Sequence, residues 1–402
     1  MKEVSAREVA LKTLLTYPGK GQPSDVLEDL LELYHLERRD RALATQIVSG
    51  TIKWRRRLDF VIKYFSRKRR VVAAPILNIL RLSLYQLMFL DRVPPYSVTD
   101  EAVRLAKKYA NTVQAGYVNA ILRTYLRRKN EIEYPDLKKD PIRHISTVYS
   151  HPPWLVSRWL NRYSIDEVVQ LAKANNRIPP VGIRINSLRT GVEEVERMLK
   201  EDGIEIVCTE ELCKNHIYIR GGTPLESNRV HKLGLCQVQD ASSTLVGFLA
   251  NPPCGDVIGD LCSAPGGKVT HLYELAGGKA RVVASDINLA RLAKVKVNAE
   301  RLGHRGMLYC VADARKPPFR SFDLVLIDAP CTGLGVLARR WDLRWRKRER
   351  DIARMASYQL EIVLAATEIV KRGGVVIYST CSIEPEENEK VVEAVLARMP
   401  QM

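Results

Sequence analysis

The sequence predicts an α/β protein. Its C-terminal part is a doubly wound, mainly parallel sheet, preceded by an all-α domain with a small α/β module between them. Three observations carry this. From about residue 236, short apolar runs at 256–262, 281–285, 307–311, 323–327 and 374–378 alternate with helical patterns, the βαβα signature of a parallel sheet. Residues 1 to about 130 show helical periodicity, with Gly and Pro falling between the periodic stretches. Residues 145–235 mix shorter apolar runs with helical ones.

Taken in order, Ser5 with Glu8 forms a capping-box pattern ahead of an apolar-periodic run through Leu15. Further helices are expected over 40–65, 73–90, 97–109 and 113–128. The charged stretch from Arg127 to Asp140 marks a linker, placed at 131–144. The module at 145–235 reads as a helix over Pro153–Ala174, a strand at Val181–Asn186, a helix at Val192–Gly203 and strands at Glu205–Cys208 and His216–Arg220. That is expected to be a small mixed, RRM-like sheet packed by helices. Residues 236–402 form the last domain.

The chain has 402 residues, is 46% hydrophobic and carries a formal charge of +17. A large core is within reach, and the charge suits a polyanionic partner, since each neutralised phosphate releases counterions. Between Lys53 and Arg70, nine Lys and Arg stand against Asp59 alone, with Trp54 and Tyr64 interleaved. Such a cluster is either a solvated face over two core aromatics or a surface for RNA phosphates and bases, with Arg55, Arg56 and Arg57 at its centre. No stretch reads as a membrane span or a signal peptide. None of the eight cysteines precedes Cys208 and no C-x-x-C pair occurs, a pattern that fits a reducing cytoplasm. Cys208, Cys213 and His216 are loosely metal-like but have no fourth ligand, so no metal is expected.

In a doubly wound sheet ligands sit at the carboxyl ends of the strands. The first strand there ends in Asp260-Leu261-Cys262-Ser263-Ala264-Pro265-Gly266-Gly267-Lys268, a strand, a glycine-rich turn and a helix start that together cradle a nucleotide-like ligand. Cys262 and Val269 exclude a P-loop, and the adjacent glycines exclude G-x-G-x-x-G. The second strand ends in Ser285-Asp286, suited to ribose hydroxyls, and the third in Ala312-Asp313, suited to an adenine amino group. Each acid alone could be a helix cap; together they point to an adenosine site. The fourth and fifth strands end in Asp328-Ala329-Pro330-Cys331 and Thr380-Cys381-Ser382, which brings two cysteines near each other and near the ligand.

These motifs resemble the Nol/Nop/Sun family of RNA 5-methylcytosine methyltransferases. The carrying residues are Val238-Gln239-Asp240, Asp260 to Lys268, Asp328 to Cys331, and Thr380-Cys381-Ser382-Ile383 with Glu386-Glu387-Asn388-Glu389. The N-terminal region is similar to the NusB-like domain of the bacterial RsmB (Sun) members, through Asp40-Arg41, Gly50, Leu58-Asp59, Leu82 to Gln86, Arg92-Val93-Pro94 and Val118 to Arg123. The resemblance implies a Rossmann-like methyltransferase domain, S-adenosylmethionine as cofactor and a cytosine in small-subunit (16S) ribosomal RNA as target. Spacing does not choose between the cysteines: DNA cytosine methyltransferases use the Pro-Cys one, matched by Cys331. The RNA family implies Cys381 as nucleophile and Cys331 in product release. It also implies Asp328 and Lys268 on the cytosine, Asp286 and Asp313 on the adenosine, and residues 262–268 around the methionine half. Recognition would fall to the N-terminal domain and to the basic run from Arg339, Arg340, Trp341 and Arg344 through Arg350.

The chain departs from the family pattern at Gly259, where a strand aliphatic is usual, at Val269 in place of Thr, and at Trp341 in place of proline. Family members usually continue into two further strands, so one sheet edge is expected to lie open at the end of this sequence. An amino-methylating enzyme would carry Asp-Pro-Pro-aromatic where this chain has Asp-Ala-Pro-Cys. A ribosome assembly factor that only binds RNA, or a related enzyme acting on transfer RNA, are the alternatives. The expected protein is a monomer.

Overall fold

The structure, a computed structural model, describes residues 4–66, 72–209, 213–220 and 225–401. Arg67 to Arg70 of the basic cluster lie outside the described residues. The chain divides into two compact units. One comprises residues 1–177 and 336–349, the other 178–335 and 350–402.

The first unit is helical: α1 (Ala6–Lys20), α2 (Pro23–Leu33), α3 (Arg38–Lys53), α4 (Arg55–Phe65), α5 (Ala74–Phe89), α6 (Pro95–Tyr109), α7 (Thr112–Arg128), α8 (Pro141–Val148), α9 (Pro153–Leu160) and α10 (Ile165–Ala174). Ser5 caps α1 by accepting from Glu8 N at 3.2 Å. The reciprocal half of the expected capping box is not made, because the Glu8 carboxylate is drawn inward to Lys108 Nζ at 2.7 Å and Tyr109 OH at 2.8 Å. Helix α2, which is not among the helices expected above although Val26, Leu27, Leu30 and Leu31 recur at helical spacing, starts on Pro23, where a missing N–H costs nothing.

The expected linker is ordered. Asp136 accepts from Lys138 N and Lys139 N, each at 2.9 Å, and Asp140 caps α8 through Arg143 N at 2.9 Å. The compact unit runs through α10 to Arg177 and takes in residues 336–349 with the short helix α16 (Leu343–Arg346). Arg344 holds that insertion. Its buried guanidinium donates to Ser150 O at 3.1 Å, Asn175 O at 3.0 Å and Asn176 Oδ1 at 2.9 Å, and burial pushes it down to about 9.

The second unit holds two sheets. In the first, β1 (Val181–Ile185), α11 (Val192–Glu201), β2 (Glu205–Thr209), β3 (His216–Arg220), α12 (Arg229–Lys232) and β4 (Cys236–Val238) give the strand order β2-β3-β1-β4. Every pairing is antiparallel, so the mixed sheet expected from sequence is corrected. The α11 crossover leaves a gap between β1 and β2, and β3 returns antiparallel to fill it. The second sheet comprises β5 (Val257–Asp260), β6 (Arg281–Asp286), β7 (Leu308–Val311), β8 (Phe322–Asp328) and β9 (Val370–Ser379). It is parallel throughout, in the order β7-β6-β5-β8-β9. Helices α13 (Ala241–Ala250), α14 (Gly267–Leu275), α15 (Leu289–Leu302), α17 (Arg350–Thr367) and α18 (Glu389–Arg398) complete a Rossmann-like, doubly wound domain. At Gly259 the strand forms all the same: a Cβ there would meet the ring of buried Phe322 at 2.9 Å, so the phenyl occupies the space a side chain would take. Strand β9 lies at the sheet edge, where Val375 is half-exposed. No described helix is long and apolar enough to cross a membrane.

Candidate active site

Because all five strands run parallel, their carboxyl ends share one edge, and Asp260, Asp286 and Asp328 close β5, β6 and β8 there. The turn after β5 is fixed from several sides. Ser263 N donates to Ser285 O at 2.8 Å, Arg291 Nη2 to Ala264 O at 3.2 Å and Asn298 Nδ2 to Pro265 O at 2.9 Å. Gly266 has φ +105°, and a Cβ on it would meet the Val295 backbone at 3.2 Å, so glycine is needed twice over. Underneath, the fully buried Arg184 of β1 donates to Gly267 O at 2.5 Å, to Gln239 Oε1 and to both oxygens of buried Glu274 at 3.1 and 2.7 Å. An arginine from the small sheet thus sets the start of α14. Nothing in the local sequence around Arg184 signals this role.

Asp286 is buried, accepts from Asn288 N at 3.0 Å and lies 3.5 Å from Arg291 Nη2. Asp260 is also buried. Its Oδ1 accepts from Cys262 N at 3.1 Å while Oδ2 meets no partner, and burial, with Asp328 adding to it, pushes its carboxyl up to about 8. Asp313 is more exposed. Arg315 grips its carboxylate at 2.7 and 3.1 Å and holds it below the usual range.

The two cysteines meet. Cys331 Sγ lies 2.8 Å from Cys381 Sγ and 3.3 Å from Cys381 N, in loops that the pairing of Asp328 with Ser379 on β8 and β9 brings side by side. Cys381 is exposed and Cys331 half-buried. Either sulfur can donate in this contact; with Cys331 as donor the free electron pair falls to Cys381. That bond holds Cys381 below the ordinary cysteine value, against burial and Asp328 and with help from Lys268; the same bond, with burial, raises Cys331. Beside them Lys268 Nζ and Asp328 Oδ2 pair at 2.7 Å, and Ser379 Oγ donates to Asp328 Oδ1 at 3.1 Å.

Both cysteine loops rest on Glu387, which is fully buried. Its carboxylate accepts from Thr332 N at 2.8 Å, Thr332 Oγ1, Ser382 Oγ at 2.6 Å and Gln359 Nε2 at 3.1 Å. Gln359 Nε2 also reaches Pro330 O at 2.9 Å. Asn388 ties Thr380 Oγ1 at 2.6 Å and Ser382 O at 3.1 Å. In the sequence Glu387 is one of several neighbouring acids, and nothing local distinguishes it from Glu386 or Glu389.

Three family models match successive parts of the chain: the NusB family over residues 4–127, the ferredoxin-like domain of RsmF/B-like methyltransferases over 151–226, and the 16S rRNA methyltransferase RsmB/F over 248–402. A probable ribosomal RNA small subunit methyltransferase B of Bacillus subtilis is 32% identical, with 100% of this chain and 90% of the relative aligned. The chain belongs to the RsmB family of ribosomal RNA methyltransferases. The ribosomal RNA small subunit methyltransferase B of Yersinia pseudotuberculosis is 34% identical, with 98% of this chain and 90% of the relative aligned. The crystal structure of PH0851 superposes with a TM-score of 0.80 at 28% identity, covering 99% of this chain and 90% of the other. The NusB-like helical domain, the small α/β module and the Rossmann-like methyltransferase domain expected from sequence are all present, the module matching a ferredoxin-like domain, and the chain is an RNA methyltransferase of the RsmB family.

The RNA-contact residues expected from sequence separate by environment. Arg344 is enclosed within the first unit, so it is a structural residue and not a contact for RNA. Arg57 is similarly engaged: it donates to Tyr134 OH and Val148 O, each at 3.3 Å, and lies over Trp54, Phe89 and Tyr134. Trp341 packs against the helical core. Arg339 and Arg340 are exposed, and Arg55 and Arg56 are half-buried.

Proposed function

We propose that the protein transfers a methyl group from S-adenosylmethionine to carbon 5 of a cytosine in small-subunit ribosomal RNA, with Cys381 bonded covalently to carbon 6 during the reaction. The observation that carries this reading is the pair of sulfurs 2.8 Å apart at the ends of neighbouring parallel strands. Carbon 5 of cytosine is a poor nucleophile. A thiolate adding to carbon 6 places electron density on carbon 5 and makes it reactive. Cys381 suits that addition, being exposed and held toward the thiolate by its neighbour. Lys268 and Asp328 would hold the base through its polar edge. Once carbon 5 loses its proton, the sulfur–carbon bond breaks and returns its electron pair to Cys381, with Cys331 next to the departing sulfur.

When bound, S-adenosylmethionine supplies an electrophilic methyl on its sulfonium sulfur. The residues present suit it: Asp286 can accept from both ribose hydroxyls, Asp260 keeps one buried oxygen unpartnered, and the first N–H groups of α14 face the turn of residues 262–268. Asp313 is the least prepared, since an adenine amino group would share its carboxylate with Arg315.

The test is to incubate the protein with small-subunit ribosomal RNA and the cofactor, digest to nucleosides and identify the product by mass spectrometry. 5-Methylcytidine is expected; N4-methylcytidine, or no product, overturns the reading. Asp286→Ala should weaken cofactor binding roughly 5- to 150-fold, the worth of one or two hydrogen bonds to a charged acceptor. Calorimetry checks this, and unchanged affinity in a folded variant removes Asp286 from the site.

A further inference from the structure

The first unit carries two adjoining cavities that the chemistry above leaves unused. One, of about 510 Å3, is lined by Arg55, Arg56 and Lys63 of α4, Arg143 of α8, and Trp345 of α16. Asp59 is the only acid among the described residues on its wall, and both its oxygens are already held by Arg81 at 2.6 and 2.8 Å. Among the described residues none of the four cations reaches a carboxylate at ion-pair distance. Arg56 Nε is shielded from solvent and has no hydrogen-bond partner. Burial lowers the Arg56 guanidinium; Asp59 opposes this and Arg143 adds to it. Four positive groups converging on a concavity whose one described carboxylate is already paired with Arg81 repel one another unless an anion enters.

The second cavity, of about 410 Å3, shares Arg55 and Trp345 with the first and adds Tyr17, Thr51, Asn78 and Arg346. The hydroxyl of Thr51, which is 1% exposed, meets no partner. Two contacts hold the wall between the cavities: Trp345 Nε1 donates to Ile52 O at 2.6 Å, and the Arg55 guanidinium lies 5.8 Å from the indole centroid. Unmatched cations on one side, and on the other the rings of Tyr17 and Trp345 with the Thr51 hydroxyl and Asn78 amide beside Arg81 and Arg346, match the two halves of a nucleotide.

We propose that these two cavities bind consecutive nucleotides of an unpaired RNA strand, with a backbone phosphate among Arg55, Arg56, Lys63 and Arg143 and a base between Trp345 and Tyr17. The proposal rests on the reading that RNA is the substrate. A duplex keeps its bases stacked and paired and cannot place one behind the indole. Trp345 belongs to the same inter-strand segment, between β8 and α17, that begins with the Cys331 loop, so the strand-binding residue and the cysteine come from one stretch of chain.

The test uses the full chain and a fluorescent ten-nucleotide oligouridylate, with a duplex of equal length and a polyglutamate peptide as competitors, titrated at several salt concentrations. The Lys63→Ala, Arg143→Ala double variant should lower the slope of log affinity against log salt by roughly 0.7 for each phosphate no longer neutralised. Trp345→Leu should weaken binding roughly 5- to 150-fold, the range of one base stack, with the slope unchanged. An unaltered slope in the double variant, or a duplex or polyglutamate that competes as well as the single strand, overturns the site. The methylation assay separates the two readings. A protein that methylates ribosomal RNA but binds oligouridylate elsewhere refutes the site alone. One that binds it here but never methylates RNA refutes the enzymatic reading alone.

Discussion

Cys381→Ser abolishes methyl transfer, while Cys331→Ser leaves a covalent protein–RNA complex that survives denaturing electrophoresis. These are the outcomes expected if Cys381 attacks and Cys331 serves release. A serine hydroxyl is almost un-ionised at neutral pH, so the rate should fall by roughly 10³-fold or more, the scale on which losing a covalent nucleophile acts. The double variant should form no adduct, because release has nothing to act on until attack has occurred. The sulfur pair adds a pH signature. The hydrogen bond between the sulfurs, with Cys331 as donor, lowers Cys381. Cys331→Ala removes that donor and Cys331→Ser keeps one. Adduct formation depends on the thiolate of Cys381, so its pH midpoint should move upward in Cys331→Ala and stay nearer the original in Cys331→Ser. Reversed roles, with Cys331→Ser inactive and Cys381→Ser trapped, would make the arrangement that of the DNA enzymes. If neither change matters, both cysteines are packing residues.

Features governed by local pattern are legible in the amino-acid sequence. Runs of apolar residues between helical stretches locate β5 to β9 to within a few residues, and a parallel sheet then has to gather Asp260, Asp286, Asp328 and both cysteines at one edge. Features governed by partners distant in the chain are not. Arg344 sits in a run of basic residues that reads as an RNA surface, yet carbonyl and amide groups of residues 150, 175 and 176 enclose it. Glu8 completes a capping-box pattern locally but is captured by Lys108 and Tyr109 a hundred positions away. Residues 336–349 lie in sequence inside the methyltransferase domain and pack with the helical unit, because Trp341 and Trp345 find their apolar partners there. Strand direction in the small sheet escapes for a related reason: periodicity fixes which face a strand buries, whereas β3's antiparallel insertion between β1 and β2 is a property of the crossover.

Removing Glu387 should cost methyl transfer heavily although its carboxylate touches no reacting atom. We expect Glu387→Ala to lose methyl transfer by roughly 10²-fold or more, since it leaves several buried donors unmatched at about 1–3 kcal/mol each. Those donors belong to the loops that carry Cys331 and Cys381, so adduct formation and release should both slow. Cofactor affinity should not change, because Asp286 and the turn of residues 262–268 make no hydrogen bond to this carboxylate among the described residues. Glu387→Gln should recover much of the activity, and the reason is geometric. An amide keeps one acceptor oxygen, which can face Thr332 N and Gln359 Nε2, the donors on one side. The amide nitrogen then faces the hydroxyls of Thr332 and Ser382, which can rotate to accept instead of donate. A carboxylate needed for its charge would not be rescued in this way. Single-turnover rates for the Ala and Gln variants, measured beside cofactor affinity and thermal midpoint, decide the matter. Full activity in Glu387→Ala ends the positioning role, and equal loss in both variants shifts the explanation from hydrogen bonding to the negative charge itself.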